Sequence, residues 1–258
     1  MLLLKNYSKP RKYLEFLWAM IERDFKARYK RALFGFLWVI INPLLQMIII
    51  GTIFSFFIKI PNYFLFLFSG LLPWSFFSLS FSKATSSYIS ERLLLKKAKF
   101  PKELIPTSII LANFLHLIIS LGLFTIVLLL FGLLNPTNLL LLIPGLMWLV
   151  IFTLGVSFMT AVLQVRFRDV NFITQTLLVL WFYSTPILYS VSQIPERLNV
   201  IFRLNPLTSV FEIFHCALVN QCEINSQILI INLLITLLVV IIGLCTYKAL
   251  NKYLVDWL

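Results

Sequence analysis

The sequence predicts an all-α integral membrane protein with six transmembrane helices, and three observations carry that expectation. Hydrophobic residues make up 60% of the chain and charged residues only 12%, where soluble domains carry about a quarter charged residues. Mean hydropathy is +0.94. Long stretches free of Asp, Glu, Lys and Arg recur along the chain, each sized to cross a hydrocarbon layer of about 30 Å.

The 258 residues read as one membrane domain, 1–258, with no separate soluble module. Met1 to Leu4 is too short to be the apolar region of a signal peptide, so no cleaved leader is expected. Positions 1–34 form a cytoplasmic arm and an amphipathic interface helix. In it Leu14, Leu17, Trp18, Ile21, Phe25, Ala32 and Leu33 recur at three- and four-residue steps, while Glu22, Arg23, Asp24, Lys26, Lys30 and Arg31 fall largely on the other side. Such a helix lies in the headgroup plane, either with a specific task or simply gripping anionic lipid. It runs directly into the first uncharged stretch, 35–58, which holds Asn42 and Pro43.

Further spans are expected at 63–82, 107–134, 139–165, 170–189 and 226–247. Pro61 and Asn135-Pro136 mark tight turns between them. In the connection 83–106, Ser86, Ser87 and Ser90 are candidate N-caps for a short amphipathic helix over Glu91 to Lys97 that ends near Phe100-Pro101. In the loop 190–225, Asn205-Pro206 reads as an N-cap followed by a first-turn proline. The apolar run that follows, Leu207 to Val219, is too short to cross and is interrupted by Glu212 and His215. With Pro195 upstream, it predicts a pair of short re-entrant-type helices in the last extracytoplasmic loop. Residues 248–258 form a tail.

Charge fixes the expected orientation. Of the 22 Lys and Arg, only Lys59, Arg197 and Arg203 fall on one face of this plan; the rest sit in the arm, the second and fourth connections and the tail. The positive-inside rule then puts both termini in the cytoplasm, with the chain multi-pass in the cytoplasmic (inner) membrane. The net charge of +12 is therefore read as topology, with no nucleic-acid partner.

Several chemistries are missing. His116 is the one titratable residue within the expected spans, read as an interhelical hydrogen-bonding group, so the intramembrane acids and bases of ion-coupled transporters and pumps are absent. The eight glycines form no G-x-x-x-x-G-K loop, so ATP hydrolysis is not expected here. Two histidines and Cys216, Cys222 and Cys245 give no metal-site spacing. Cys216 and Cys222 could meet if the loop folds back, but free apolar thiols are the expectation. Asp169, Glu91 and Glu103 sit beside basic residues and read as salt-bridged loop residues, so no catalytic residue is expected. Asn42, Gln46, Asn113, Gln164, Asn171 and Gln175 read as ties between helices. Trp38, Trp74, Phe77, Trp181 and Tyr183 are candidate channel-lining aromatics, set against the plainer reading that such rings form interfacial belts.

Several stretches together resemble one family. They are R-D-F-K-A-R-Y-K-R-A-L-F-G-F-L-W at Arg23 to Trp38 with Asn42-Pro43-Leu44, G-L-L-P-W-S-F-F at Gly70 to Phe77, K-A-K-F-P-K-E-L-I-P at Lys97 to Pro106, V-R-F-R-D-V at Val165 to Val170, and S-T-P-I-L-Y followed by N-P-L-T. This pattern resembles the permease subunit of ABC polysaccharide exporters, the group exporting O-antigen, capsule and teichoic-acid polymers. Glu91 and His215 depart from it, standing where a neutral polar residue and Arg are expected. The resemblance implies a homodimer that recruits two copies of a separate nucleotide-binding ATPase and moves a polymer linked to undecaprenyl pyrophosphate. ATP and Mg would belong to that partner, with no cofactor in this chain. It also implies that the N-terminal helix and the loop between the second and third spans dock on the ATPase, which singles out Glu91, Arg92, Lys96, Lys97, Phe100 and Pro101 in that loop, and that the short helices of the last outer loop shape the exit. Arg23, Arg28, Lys30 and Arg31 are the candidate site for the lipid-pyrophosphate headgroup, because Arg pairs with phosphate oxygens and Lys adds point charge. The alternatives are an ABC permease for a drug or simple lipid, a membrane-bound lipid-modifying enzyme and a structural scaffold.

Overall fold

A computed structural model of the chain describes residues 10–29, 35–98 and 100–258, and leaves the side chains at 10, 28, 29, 36, 196, 198, 199 and 201 undescribed. The described residues fold entirely as helices and connecting turns. In order these are α1 (Pro10–Tyr29), α2 (Trp38–Phe54), α3 (Tyr63–Ser90), α4 (Arg92–Lys97), α5 (Leu104–Leu130), α6 (Leu142–Arg166), α7 (Val170–Ser184), α8 (Glu196–Arg203), α9 (Pro206–Val219) and α10 (Ser226–Leu250).

Among the described residues, four stretches are long and apolar enough to cross a membrane: Tyr63–Ser90, Leu104–Leu130, Asn138–Arg166 and Ser226–Tyr253. The expected spans 35–58 and 170–189 appear as shorter apolar helices. The 17 residues of α2 and the 15 of α7 give about 26 Å and about 22 Å of helix. Local chemistry sets their limits. Gly35 lies at φ +48°, a backbone region that suits glycine, so the arm helix does not continue unbroken into α2. At the other end of α2, Thr52 Oγ1 donates to the Ile48 carbonyl at 2.8 Å and Ser55 Oγ to the Thr52 carbonyl at 3.1 Å. α7 stops because Pro186 forces the residue before it out of the helical region, and Thr185 is extended at φ −104°, ψ 139°.

The connection after α3 differs from the sequence expectation. α3 runs to Ser90, well past 82, so Ser86, Ser87 and Ser90 lie inside a helix and cap nothing. Ser86 and Ser90 bond back to main-chain carbonyls of the preceding turn, a local option that competes with capping. α4 begins after Glu91 without a side-chain cap.

α3 is the central element, packed on α2, α5, α6, α7 and α9. The main core gathers Phe66, Leu71, Phe77 and Phe81 of α3, Phe152 of α6, and Phe211 and Phe214 of α9. A second core closes one end of the bundle. It joins Met20 of α1, Tyr88 of α3, Leu95 of α4, Leu104 and Ile105 of α5, Ala161 and Val162 of α6, Tyr247 of α10 and Leu254 of the tail. The segments meeting there carry or adjoin the basic stretches of the sequence, α6 ending at Arg166 and α10 leading into Lys248 and Lys252, so this is the basic end. α6 and α10 approach most closely: a Cβ at Gly243 would lie 2.1 Å from the Gly155 carbonyl oxygen.

α9 forms where Asn205-Pro206 predicts it, with Asn205 accepting from the Leu207 N–H at 3.1 Å. It is buried along nearly its whole length against α3, α6 and α10. Protein covers its backbone, which satisfies the condition for a short helix at membrane depth. The expectation of free thiols at its end is wrong. Cys216 and Cys222 form a disulfide, because the chain reverses after α9 through Asn220 at φ 58°. Cys245 remains free.

Candidate functional site

The exposed face of α3 carries a polar stripe. Ser75, Ser78, Ser82, Ser86 and Ser90 are spaced three or four residues apart, which stacks them on one side of the helix. None of the five is buried, although the opposite face of α3 is the core of the molecule. Three cavities follow this stripe. One of about 590 Å³ lies between α2, α3 and α7, with Gln46, Ser75, Ser78, Ser82, Gln175 and Tyr183 in its wall. A second, of about 390 Å³, lies between α2, α3 and α5, with Trp38, Asn42, Gln46, Ser78, Asn113 and His116. The third, of about 370 Å³, lies at the basic end between α1, α3 and α5, with Arg23, Lys83, Ser86, Ser90 and Glu91.

Polar ties hold the walls in place. Gln175 Nε2 donates to Ser82 Oγ at 2.6 Å, joining α7 to α3. Asn113 Nδ2 donates to Ser80 Oγ at 3.0 Å, joining α5 to α3. His116 is buried in α5 and stacks on Phe25 of α1 with ring centroids 4.5 Å apart. Ser75 Oγ donates to the Leu71 carbonyl at 2.7 Å, which spends its proton and leaves the oxygen's lone pairs toward the groove.

The candidate aromatics divide into two groups. Trp38, Trp74 and Tyr183 border the cavities. Phe77 is fully buried between Phe81, Phe152 and Trp181, at ring separations of 5.4 to 5.8 Å, and borders none of these three cavities. Trp181 packs on the same cluster and donates Nε1–H to Asn205 Oδ1 at 2.9 Å. Asn205 also donates to the Ser184 carbonyl at 3.0 Å and to Thr185 Oγ1 at 2.9 Å. One side chain thus caps α9 and pins the end of α7.

At the basic end, α4 turns Leu95 into the core and leaves Arg92, Leu93, Lys96 and Lys97 exposed. Its flanks are fixed on two sides. Phe100 packs on Phe16 of α1 at 5.0 Å, Lys102 Nζ donates to the Asn251 carbonyl at 2.8 Å, and Tyr247 OH donates to Glu103 Oε2 at 2.8 Å. Glu91 accepts from Arg23 of α1 at 2.7 Å, and Arg23 also pairs with Asp24 at 2.9 Å. Arg23 and Glu91, expected to serve different partners, are therefore paired with one another. Lys30 and Arg31, with the side chain of Arg28, lie outside the described residues. Arg23 is the one member of the candidate headgroup set whose surroundings are described.

At the opposite end, the segment between α7 and α10 is not a span and carries two buried titratable groups. Burial pushes the Glu212 carboxyl up to about 7, Glu223 adds to the rise and Arg203 opposes it. Burial pushes the His215 imidazole down to about 4, against its bond to Pro186 and the charge of Glu223. His215 Nε2 donates to the Pro186 carbonyl at 2.9 Å, which leaves Nδ1 of the neutral ring as an acceptor 2.8 Å from Ser69 Oγ, whose single proton is shared between it and the Phe66 carbonyl at 2.7 Å. The ring also stacks on Phe66 at 3.8 Å. This position, where the resemblance implies an arginine, holds a neutral connector between α3, α9 and the turn after α7.

Comparison with known proteins fits this architecture. The profile of the ABC-2 type transporter family matches residues 15–219. The chain belongs to this family. A relative from Myxococcus xanthus, described as "O-antigen export system permease protein RfbA", is 36% identical over 203 residues, 77% of this chain and 78% of its own length. Two Klebsiella pneumoniae proteins with the same description are 34% identical over 253 residues and 32% identical over 249, each covering 92% of both chains. The family match spans α1 to α9 and so includes the striped face of α3 and the exposed α4.

From the sequence, Asn205 reads as a cap and Ser86 and Ser90 as candidate caps, but neither the five-serine stripe nor the bonds from Asn205 to α7 are reached there. The three- and four-residue spacing of the serines was the available signal for the first. Nothing local signals the bonds from Asn205 to Trp181, Ser184 and Thr185, because those partners lie 20 or more residues away.

Proposed function

We propose that the chain is the channel-forming permease subunit of an ATP-driven exporter that moves an undecaprenyl-pyrophosphate-linked, O-antigen-like polysaccharide across the cytoplasmic membrane. The observation that carries this reading is the half-buried serine face of the central helix, which lines three cavities. A row of hydroxyls beside Gln46 and Gln175 gains nothing from lipid tails, so it faces either water or another protein chain. A homodimer that joins two such faces encloses a polar path edged by Trp38, Trp74 and Tyr183, whose rings suit the C–H faces of sugars. The named activity of the relatives supports the cargo.

In this reading both termini and the basic end are cytoplasmic, and α2, α3, α5, α6, α7 and α10 all cross. The two short helices, α2 and α7, flank the same groove. A bilayer that adapts to them thins beside the path, at a cost of fractions of a kcal/mol per Å of mismatch. The exposed Arg92, Lys96 and Lys97 form the docking surface for two copies of an ATPase subunit that supplies ATP and Mg chemistry. Because α4 is fixed to α1 and to the α10 tail, a push on it moves several helices as one body. The headgroup of the carrier is captured at the cytoplasmic interface by Arg23, Arg28, Lys30 and Arg31.

The test is replacement of Ser78 and Ser82 by Leu, read as surface polysaccharide on cells that otherwise lack the permease. Export is expected to be lost while membrane level and co-purification with the ATPase stay as in the wild type. Normal export by the double variant would refute a polar path along α3.

A further inference from the structure

The end of the molecule opposite the basic one is held together by residues 220–223. Asn220 Nδ2 donates to the Leu133 carbonyl at 3.2 Å, and Asn220 Oδ1 accepts from Asn138 Nδ2 at 3.0 Å. Gln221 Nε2 donates to the Pro61 carbonyl at 3.1 Å. Glu223 accepts from the Ser192 N–H at 3.2 Å, from Ser192 Oγ at 3.0 Å and from the Ser190 hydroxyl. Three of these four consecutive residues thus bond to the turn after α2, the turn after α5 and the segment after α7. That covers the other connections at this end. These residues are tied to the buried α9 by the Asn220 and Gln221 N–H groups, which donate to the His215 carbonyl, and covalently by Cys222, joined to Cys216 in the last turns of α9 with Cα atoms 4.3 Å apart. Cys216 is buried and Cys222 is exposed.

We propose that the Cys216–Cys222 disulfide is an oxidative clasp of the outer face, installed by an extracytoplasmic dithiol–disulfide exchange protein and required to keep the connections of that face together. The orientation of this end rests on the topology given under Proposed function; the bond itself does not. The geometry sets the order of chemistry. The exposed Cys222 thiolate attacks the disulfide of the exchange protein, forming a mixed disulfide and releasing one of the exchange protein's sulfurs as a thiolate. The Cys216 thiolate then attacks the Cys222 sulfur, closing the internal bond and releasing the second sulfur. Two protons and two electrons leave the two cysteines, and the exchange protein ends as a dithiol. Such bonds form and persist in oxidising compartments, whereas cytosolic thiols are kept reduced. The clasp therefore serves only a face exposed outside the cytoplasm.

A disulfide that closes a short ring removes chain entropy from the open state. The expected consequence of its loss is release of 220–223, with the turns after α2 and α5 freed together. Full-length protein in native membranes is denatured with a polyethylene-glycol maleimide, with and without prior reduction. One adduct, at Cys245, is expected without reduction and three adducts after it; three without reduction would overturn the bond. In a C216S/C245S variant, Cys222 is the sole thiol. Labelling by a membrane-impermeant maleimide from the outside of intact cells is expected, and labelling from the cytoplasmic side alone would overturn the outward orientation while leaving the adduct count as it is. In a C216S/C222S variant, cleavage of residues 185–225 by protease added outside is expected to rise on the order of tenfold, following loop-closure entropy. Cleavage equal to the wild type would overturn the clasp as a holding device.

Discussion

Gly243→Ala should be among the most damaging small substitutions in the chain, and its cost follows from one distance. α6 and α10 cross where Gly155 and Gly243 face each other. A methyl carbon at 243 would sit 2.1 Å from the Gly155 carbonyl oxygen and 3.3 Å from the Gly155 Cα. Carbon atoms at optimal contact are about 3.5 to 4.0 Å apart, so the two backbones must separate by more than about 1 Å. The obstacle is backbone, so no rotamer change relieves it. Overpacking of this kind costs about 1 to 3 kcal/mol, and alanine returns up to about 1 kcal/mol through its better helix propensity. The net loss is about 1 to 2 kcal/mol. Gly122 in α5 is the internal control, since nothing lies within 4 Å of a Cβ added there. Gly122→Ala keeps the propensity gain alone and should stabilise by about 0.5 to 1 kcal/mol. The assay is thermal unfolding of the purified chain in one detergent, comparing both variants with the wild type. Equal Tm shifts for the two variants would refute the argument that the α6 to α10 approach, rather than glycine itself, sets the response.

Asn205→Ala should cost about 2 to 4 kcal/mol, from loss of the α9 cap and an orphaned Trp181 Nε1; thermal unfolding and the Trp181 fluorescence shift report it. Glu212 has its carboxyl raised by burial, so its proton stabilises the folded state. That contribution is complete below the ordinary carboxylate value of about 4.3 and is lost as pH rises toward about 7. His215, lowered by burial, acts in the opposite sense over the acid part of this window, so Glu212→Gln is the variant that isolates the carboxyl. Glu212→Gln should make the slope of Tm against pH between 5 and 7 more positive than in the wild type, by roughly the amount one group supplies; an unchanged slope would assign the titration elsewhere. Reversing Lys96 and Lys97 to Glu should uncouple ATP turnover from export in the assembled complex, measured as turnover per exported chain, and unchanged coupling would remove α4 from the docking surface. Arg28→Ala or Arg31→Ala should lower export sharply at unchanged expression while Lys5→Ala and Lys9→Ala do not; equal losses at all four would favour general attraction to anionic lipid, at about 1 kcal/mol per basic residue near the surface.

The sequence by itself determined the class, the helical content and the gathering of basic stretches, because each rests on composition and on contacts within a few residues. Uncharged runs long enough to cross are visible without a fold, and Asn205-Pro206 announces α9 by local capping chemistry. Local rules also misled where they compete: Ser86 and Ser90 satisfy a helix interior as well as an N-cap, and packing of Tyr88 and Ala84 into the core carries α3 through them. Only the tertiary structure decided which serines share an exposed face with Gln46 and Gln175, that Phe77 is core while Trp38 edges a groove, that Arg23 meets Glu91 across 68 positions, and that Cys216 meets Cys222. The physical reason is common to all four. Each depends on how a helix is rotated or where a loop reverses, and those are set by packing against distant segments of the chain rather than by the residues themselves.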